Sequence, residues 1–342
     1  MRPLRGRAVP TDCRARTAVD PIAIGSVSRV AAVNGQPLIH ARNLVKRFGD
    51  FVAVDGIDFD LQRGEAFGFL GPNGAGKTST MRMIGCVSPV TDGTLSVFGL
   101  DPARDGVKIR SRLGVVPQED TLDRELTVRE NIVIYGRYYG LPRKQLGARA
   151  DELLDFVELT ERANDKVEPL SGGMKRRLTI ARSLVNDPEI MLLDEPTTGL
   201  DPQARHVVWD RLYRLKRQGV TLLLTTHYMD EAEQLCDRLV IMDKGKIVAE
   251  GSPRDLIERY STREVVELRF DDGSRPDDLG YWTEGLVSRT ESLPDRVLLY
   301  TDDGDAASHG LHERGLVPES ILVRRSTLED VFLRLTGRSL ID

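Results

Sequence analysis

The sequence has few cysteines and no long apolar run. Its three cysteines, Cys13, Cys86 and Cys236, lie far apart, with no Cys-x-x-Cys or Cys/His metal spacing. This spacing fits a reducing cytosol better than a disulfide framework. No stretch approaches the roughly 18 apolar residues of a membrane-spanning helix, so we expect that the chain does not span a membrane by itself. The net charge of −5 argues against a general nucleic-acid-binding surface.

The first 36 residues differ in composition from the rest of the chain. They carry six arginines against two aspartates, and no continuous apolar segment follows the basic start. A secretory signal is therefore not expected, and we interpret residues 1–36 as a disordered, Arg-rich extension or an over-long start. A targeting or membrane-touching role is the alternative. The remainder, with 40% apolar and 30% charged residues overall, is typical of a globular protein of about two domains.

A strand, a glycine-rich loop and a helix follow one another between residues 66 and 84. Ala66–Leu70 is a short apolar run typical of a strand buried on both faces, and Lys77–Ile84 has helical character. The loop between them reads Gly71, Pro72, Asn73, Gly74, Ala75, Gly76, Lys77, Thr78. In this context we predict a phosphate-binding loop, in which Lys77 reaches the β- and γ-phosphates and Thr78 binds Mg²⁺. The loop alone does not separate a kinase, a GTPase and a motor.

Two acidic residues end an apolar run at residues 190–195. Ile190–Leu193 follows Pro188 and precedes Asp194 and Glu195. Burying two acidic side chains after a parallel strand costs free energy unless a cation neutralises them or one of them accepts a proton. We therefore predict that Asp194 holds the Mg²⁺ shell and that Glu195 polarises an attacking water as general base.

Two further polar residues follow predicted strands. Leu113–Val116 is ended by Pro117, which leaves Gln118 on a loop, and the apolar run 220–226 leads into His227. With a phosphate-binding loop in the chain, we predict that Gln118 senses the γ-phosphate and contributes to the metal site. We expect the strand before His227 to neighbour the one carrying Asp194, so that the imidazole contacts the γ-phosphate. A solvated glutamine and a structural histidine are the alternatives.

A second glycine-bearing turn, Leu170–Met174, opens a helix that continues to about Val185. Ser171 is a suitable N-cap in any protein, whereas the glycines after it clear side chains from the helix N-terminus, so that a phosphate could approach. The basic run Lys175–Arg177 lies on the first turns of this helix, and we expect it to form a solvated face.

Six motifs thus occur in one order along the chain. They are Gly71–Thr78, Gln118, Leu170–Met174, Leu193–Glu195, Gly199–Asp201 and His227. On these motifs, the segment from about Leu38 to Ile257 resembles the nucleotide-binding subunits of ATP-binding cassette (ABC) transporters. The resemblance implies an α/β P-loop NTPase fold: a RecA-like core with an antiparallel β subdomain and a helical subdomain. It also implies a Mg·ATP-driven homodimer.

The same resemblance implies further nucleotide contacts. Phe48 is expected to stack on adenine, and Ser79 and Asp201 are expected to belong to the nucleotide site. The turn formed by Ser171, Gly172 and Gly173 is expected to contact the ATP held by a second copy of the chain.

A finer similarity is to exporters of the nodulation-factor type. It is carried by Ala204–His206, Thr226–Glu233 and Leu328–Arg338, whereas Met174–Leu178 and Pro196–Pro202 resemble drug- and polysaccharide-exporting cassettes. It implies an integral membrane permease of the ABC-2 type as partner, no nucleic acid, and a peripheral location at the cytoplasmic face of the bacterial inner membrane. The implied cargo is a lipo-chitooligosaccharide or a related lipid, sugar or drug. The alternative is a soluble ABC ATPase of the translation or repair type, which transports nothing.

Residues 262–342 are expected to form a small α+β domain. Strands are predicted at Val265–Phe270, Arg296–Tyr300 and Ser320–Arg325. A final helix follows, with Leu328, Val331, Phe332 and Leu335 on one face and a capping box at Ser326 and Glu329. So small a unit buries a modest core, so we expect it to pack on the ATP-binding unit or on a dimer mate. The ATP-binding unit itself is predicted over residues 38–260, with the helical subdomain at about 119–186.

Overall fold

The computed structural model describes residues 36–271, 275–276 and 278–337, so the interpretation of residues 1–36 lies almost wholly outside the described residues. The strands in these ranges are β1 Ile39–Phe48, β2 Phe51–Leu61, β3 Ala66–Leu70, β4 Asp92–Val97, β5 Leu113–Val116, β6 Ile190–Asp194, β7 Thr221–Thr226, β8 Arg238–Asp243, β9 Lys246–Gly251, β10 Glu264–Arg269, β11 Arg289–Ser292, β12 Val297–Thr301 and β13 Ser320–Arg325. The helices are α1 Lys77–Ile84, α2 Pro102–Arg110, α3 Val128–Tyr138, α4 Arg143–Phe156, α5 Gly172–Ser183, α6 Pro202–Arg217, α7 Met229–Leu235, α8 Pro253–Tyr260, α9 Gly280–Thr283, α10 Gly304–Glu313 and α11 Leu328–Thr336, with a 3₁₀ turn at Thr160–Arg162. In the part of the chain that the structure describes, no helix combines the length and apolarity needed to cross a membrane.

The central sheet has six strands in the order β5-β6-β7-β3-β8-β9. Strands β5, β6, β7, β3 and β8 are parallel, and β9 closes the sheet as an antiparallel hairpin with β8. Every residue of β3 and β7 is buried, which explains their unbroken runs of small and apolar residues. Because the first four strands run the same way, the loops that follow them meet at one edge of the sheet.

A three-stranded antiparallel sheet, in the order β2-β1-β4, packs beside the phosphate-binding loop. Its core joins the central sheet through an aromatic contact, with the rings of Phe59 and Phe69 5.1 Å apart and nearly perpendicular. The β1–β2 hairpin closes where Phe48 pairs with Phe51. The predicted bounds of β3 and α1 are confirmed, whereas β4 has no counterpart among the predicted elements.

Helices α3, α4 and α5 form a layer beside β5 and β6. Helix α3 starts with a capping box: the Thr127 hydroxyl accepts from the Glu130 N–H at 3.2 Å, and the Glu130 carboxylate accepts from the Thr127 N–H at 2.8 Å. Gly140 adopts φ +74° after α3, and Pro142 precedes α4, so the chain turns between two helices.

The C-terminal sheet has four antiparallel strands in the order β11-β12-β10-β13. Helix α10 covers one face, and Leu333 of α11 packs on the other. The same α11 inserts Leu328, Val331 and Phe332 into the large apolar core on the central sheet, next to α7 and α8. We predicted that this C-terminal unit packs either on the rest of its own chain or on a dimer mate. The structure shows that it packs on its own chain.

The predicted cap of α11 is wrong by one residue. The N-cap is Thr327, and the Asp330 carboxylate accepts from its backbone N–H at 2.8 Å. Ser326 instead accepts a hydrogen bond from the hydroxyl of Ser261 at 3.0 Å. The residue types of both boxes are compatible with capping, so the tertiary contact of Ser326 decides between them.

Candidate active site

The phosphate-binding loop lies between the end of β3 and the start of α1. Gly76 caps the helix with φ +103°, and a Cβ at this position would lie 2.4 Å from the carbonyl oxygen of Ala53, so only glycine fits. The Lys77 ammonium donates to the Gly71 and Pro72 carbonyls at 2.7 and 3.0 Å. Burial lowers the pKa of Lys77, whereas the carboxylates of Glu195 and Asp194 act in the opposite direction.

Asp194 brings two hydroxyls together at the end of β6. Its Oδ1 atom accepts from the Thr78 hydroxyl at 3.2 Å and from the Thr225 hydroxyl at 2.5 Å. Hydroxyl and carboxylate oxygens are the hard ligands that Mg²⁺ prefers, so these residues fit the predicted metal. In the described ranges no group of three His, Cys, Asp or Glu side chains could hold a metal alone.

Glu195 follows directly and has only 6% of its surface exposed. Its Oε2 atom accepts from Gln118 Nε2 at 3.1 Å and from the Thr198 hydroxyl at 3.0 Å. Its Oε1 atom lies 3.2 Å from His227 Nδ1. The contact with His227 holds the pKa of Glu195 below its usual range, although burial alone would raise that pKa. The group is therefore a carboxylate at neutral pH, oriented by three side chains.

The residues around Glu195 come from adjacent strands. Gln118, Glu195 and His227 follow β5, β6 and β7, which pair in that order. The predicted proximity of the strand before His227 to the strand of Asp194 is confirmed, since Asp194 pairs with Thr225. The Lys77 ammonium lies 3.9 Å from Glu195 Oε1. The structure thus joins the phosphate-binding loop, the two acids, Gln118 and His227 in one cluster.

The second glycine-bearing turn does not join this cluster through hydrogen bonds in the described part of the chain. The Ser171 hydroxyl caps α5 by accepting from the Met174 N–H at 3.3 Å, and Asp201 caps α6 by accepting from the Ala204 N–H at 2.9 Å. Ser171 and Gly172 are exposed. At Gly173, a Cβ would lie 2.7 Å from the Cβ of Ala204, so the close approach of α5 and α6 requires glycine there.

The remaining predicted nucleotide contacts lie around the loop. Asn73 and Gly74 form its exposed tip, while Ala75 is buried and Ser79 is half-buried. Phe48 has 52% of its surface exposed at the end of the β1–β2 hairpin. The Lys46 ammonium lies 4.8 Å from the centre of the Phe48 ring. Both residues belong to β1, and the partner strand β2 contacts Gly76 through Ala53.

The prediction that Lys175–Arg177 form a solvated face is wrong for Arg176. This side chain is buried and donates hydrogen bonds to backbone carbonyls on both sides of the Gln118–Glu195 contact. Arg177 is also largely buried and donates to the Val157 carbonyl at 2.6 Å. The partners come from loops distant in sequence, so the charge run gave no signal of burial.

Sequence reasoning also missed a buried acid behind the site. Glu231 on α7 is fully buried and accepts from the Thr197 hydroxyl at 2.8 Å and from the Trp209 indole at 3.1 Å. Burial raises its pKa. It ties the loop after Glu195 to α6 and α7. The run of acids from 230 to 233 is a weak signal, because such runs are usually solvated.

Comparison with known families agrees with this geometry. Residues 54–198 match the family model described as "ABC transporter", and residues 278–337 match "Nodulation factor export protein NodI, C-terminal domain". The chain is 45% identical over 305 residues to the Nod factor export ATP-binding protein I of Cupriavidus metallidurans, covering 89% of this chain and 99% of that protein. The protein of the same name from Sinorhizobium fredii is 46% identical over 305 residues, covering 89% of this chain and 87% of that protein.

Solved structures show the same class. The post-hydrolysis dimeric structure of the ATP-binding cassette MJ0796 bound to ADP and Pi is 28% identical, with a TM-score of 0.58, and covers 63% of this chain and 98% of that one. The ADP conformation of the cassette MJ1267 is 26% identical, with a TM-score of 0.60, and covers 66% of this chain and 95% of that one.

The fold and the site thus define an ABC-type P-loop ATPase, and the predicted fold class is confirmed. Within that class, the chain belongs to the ABC transporter ATP-binding subunits, in the family of the Nod factor export ATP-binding protein I.

Proposed function

We propose that this protein is the ATP-hydrolysing subunit of an ABC exporter. It works as a homodimer with a separate ABC-2-type membrane permease, at the cytoplasmic face of the bacterial inner membrane. The observation that carries the proposal is the convergence of Lys77, Asp194 and Glu195 with Gln118 and His227 at one edge of the central sheet. The names of the relatives, which are Nod factor export ATP-binding proteins, support the export assignment.

In this proposal Glu195 is the general base for the attacking water. Its carboxylate is charged and is held in place by Gln118 and Thr198, and a positioned carboxylate can accept the proton of an attacking water. Lys77 binds the β- and γ-phosphates, and His227 donates to the γ-phosphate. Thr78, Asp194 and Gln118 would hold Mg²⁺, which when bound neutralises charge on the phosphate oxygens.

The second half of the nucleotide site comes from a second copy of the chain. Ser171, Gly172 and Gly173 start α5, whose first backbone N–H groups have no partner within the helix. Two of these residues are exposed, so a phosphate of a nucleotide bound to a partner could reach them. We propose that ATP closes two copies in this way, with Phe48 on the adenine, Asp201 near the interface and hydrolysis reopening the pair.

The permease is proposed to dock on a groove beside the Gln118 loop. The groove has a volume of about 400 Å³. Its lining residues come from β5, the loop after it, α3 and α5: Val115, Pro117, Thr121, Asp123, Leu126, Asn131, Ile134, Tyr135, Tyr138 and Arg182. Tyr138 is 81% exposed at its rim, and such an exposed aromatic side chain suits a protein contact.

We further propose that the chain divides into an ATP-binding unit over residues 38–260, with its helical subdomain at about 119–186, and an accessory unit over residues 262–342. The separate four-stranded sheet of β10 to β13 supports this division. The proposed cargo is a lipo-chitooligosaccharide or a related lipid, sugar or drug, on the names of the relatives.

Deletion of the gene and complementation test the proposal. Wild-type protein should restore export of an amphiphilic oligosaccharide or lipid, measured by mass spectrometry of the culture medium, whereas Glu195→Gln should not. Tyr138→Ala should lose co-purification with the membrane permease while keeping basal ATPase activity. Tyr281→Ala removes another exposed tyrosine, far along the chain, and should change neither. Co-purification with ribosomes or DNA-repair proteins, and with no membrane protein, would instead identify a non-transport ATPase.

A further inference from the structure

Arg176 sits in an unusual position for a cation. It lies on the second turn of α5, has 8% of its surface exposed, and directs its whole guanidinium at backbone oxygens. The Nε atom donates to Pro196 O at 2.6 Å, and Nη2 donates to Asp194 O and Glu195 O at 3.0 Å each. The Nη1 atom donates to Pro117 O and, at 3.4 Å, to Gln118 O. All five N–H groups of the side chain thus have partners.

The five carbonyls belong to two loops that carry the reacting side chains. Three of them surround Glu195, whose backbone has φ +46°, a left-handed conformation that is unfavourable for a residue other than glycine. Such a conformation persists only when its surroundings hold it. Arg176 supplies two hydrogen bonds at this point, to the carbonyls of Asp194 and Glu195.

The other two carbonyls belong to Pro117 and Gln118, beside the groove proposed for the permease. The Gln118 side chain in turn donates to Glu195 at 3.1 Å. Arg176 therefore holds the backbones of both partners in that hydrogen bond. In the described part of the chain, its hydrogen bonds go to neither the phosphate-binding loop nor Phe48.

The helix that carries Arg176 is also capped by Ser171, which belongs to the turn that faces a partner's nucleotide in the proposed dimer. A guanidinium is rigid and planar, so a shift of α5 moves all five donors together. We propose that Arg176 is a positioning residue that couples the position of α5 to the geometry of Gln118 and Glu195. Hydrolysis then proceeds only when α5 lies where Arg176 can bond both loops. This inference rests on the proposed role of Glu195 as general base.

Lysine at this position keeps the charge but cannot reach five carbonyls in a fork. We expect Arg176→Lys to lower kcat about 10–100-fold, the usual cost of losing a supporting contact behind a reactive group, with KM and the Kd for ATP unchanged. Arg177→Lys is the matched control, because Arg177 is a neighbouring, largely buried arginine that donates to Val157 O, outside the two loops. It should keep wild-type kcat.

A double variant tests whether Arg176 acts through Glu195. In single-turnover assays, Arg176→Lys should give no further loss when Glu195 is already Gln, because residues that act as a unit are not additive. Additive losses would overturn the coupling. A kcat equal to that of the Arg177→Lys control would overturn it as well.

Arg176→Gln provides a second variant with a shorter, uncharged side chain. If both variants lower the thermal midpoint and ATP affinity together with kcat, Arg176 is a structural residue and the inference is wrong. If Glu195→Gln alone retains wild-type turnover, the proposed base is wrong, and this outcome is distinct from a failure at Arg176.

Discussion

Gln118 Nε2 lies 3.1 Å from Glu195 Oε2, and this hydrogen bond links two loops with different exposures. Glu195 is buried beside Lys77, whereas the residue before Gln118, Pro117, lines the open groove of about 400 Å³. The groove residue Pro117 is thus the direct chain neighbour of the glutamine that donates to Glu195. A protein that moved the Gln118 loop would change the orientation of Glu195 directly.

Glu195→Gln is expected to reduce ATP turnover about 10²–10⁴-fold, the contribution typical of a general base. The amide keeps the shape of the side chain, so ATP binding and the ATP-bound dimer should persist. Steady-state ATPase assays and size-exclusion chromatography with ATP measure the two effects. Glu233→Gln, which changes a half-buried acid that accepts from the Leu328 N–H, is the control and should retain activity. A Glu195→Gln protein with wild-type turnover contradicts the assignment.

Ser171→Arg is expected to block dimer closure and leave ATP binding to the monomer intact. The new side chain would fill the exposed N-terminus of α5, where the proposed partner nucleotide sits. Nucleotide titration and light scattering separate the two properties. Ser252→Arg alters an equivalent N-cap, on α8, whose hydroxyl accepts from the Asp255 N–H at 3.1 Å. That control should still dimerise; an equal loss of ATP affinity in Ser171→Arg would show that the turn serves its own subunit.

His227→Ala is expected to move the acid limb of kcat/KM to higher pH. His227 is the main reason that the pKa of Glu195 lies below its usual range, and burial opposes it. Without the imidazole the pKa of Glu195 rises, so the base is protonated at a higher pH than in the wild type. Initial rates across about pH 3–7, on both sides of the ordinary glutamate pKa, test the shift. His206→Ala, on the exposed part of α6, should leave the profile unchanged. An unshifted limb in His227→Ala contradicts the prediction.

Phe48→Ala is expected to raise the Kd for ATP about fivefold without changing kcat, since base stacking on a half-exposed ring contributes about 1 kcal/mol. Isothermal titration calorimetry provides the affinity. Phe51 is the strand partner of Phe48 and is 63% exposed, so Phe51→Ala is a matched control for loss of an exposed ring. Equal effects at both positions would remove Phe48 from the adenine site, whereas Phe48→Tyr should retain wild-type affinity.

Phe332→Ala is expected to lower the free energy of unfolding by about 3–5 kcal/mol, because it removes a fully buried ring and leaves a cavity in the core. Urea unfolding followed by circular dichroism measures the change. Glu329→Ala on the same helix removes only a side chain that lies 3.8 Å from Arg296 at the surface, which is worth about 0–1 kcal/mol. Similar midpoints for the two variants would show that α11 does not contribute to the core.

Local sequence signals predicted much of the fold and the site. The loop before Lys77, the acids at the end of β6 and the positions of Gln118 and His227 follow from short patterns, because each lies at or just beyond the end of a parallel strand. The burial of Arg176 could not be predicted, since its partners are carbonyls rather than side chains. The apolar face of α11 indicated that the helix packs against another apolar surface. Which surface it packs against depends on the tertiary fold and could not be read from the sequence. The need for glycine at position 173 is likewise a tertiary property, because it arises from the close approach of Ala204 on another helix.

Helix α11 has a consequence for synthesis on the ribosome. The apolar seat that receives Phe332 is formed by α7 and α8 and is complete at Tyr260, about 70 residues earlier in the chain. Because the ribosome adds about 5–20 residues per second, this apolar surface is made several seconds before the helix that covers it. During that time every nascent chain carries an uncovered apolar patch next to the strands of its nucleotide site. Chaperones therefore have a defined interval and a defined surface on which to act before the ATPase is finished.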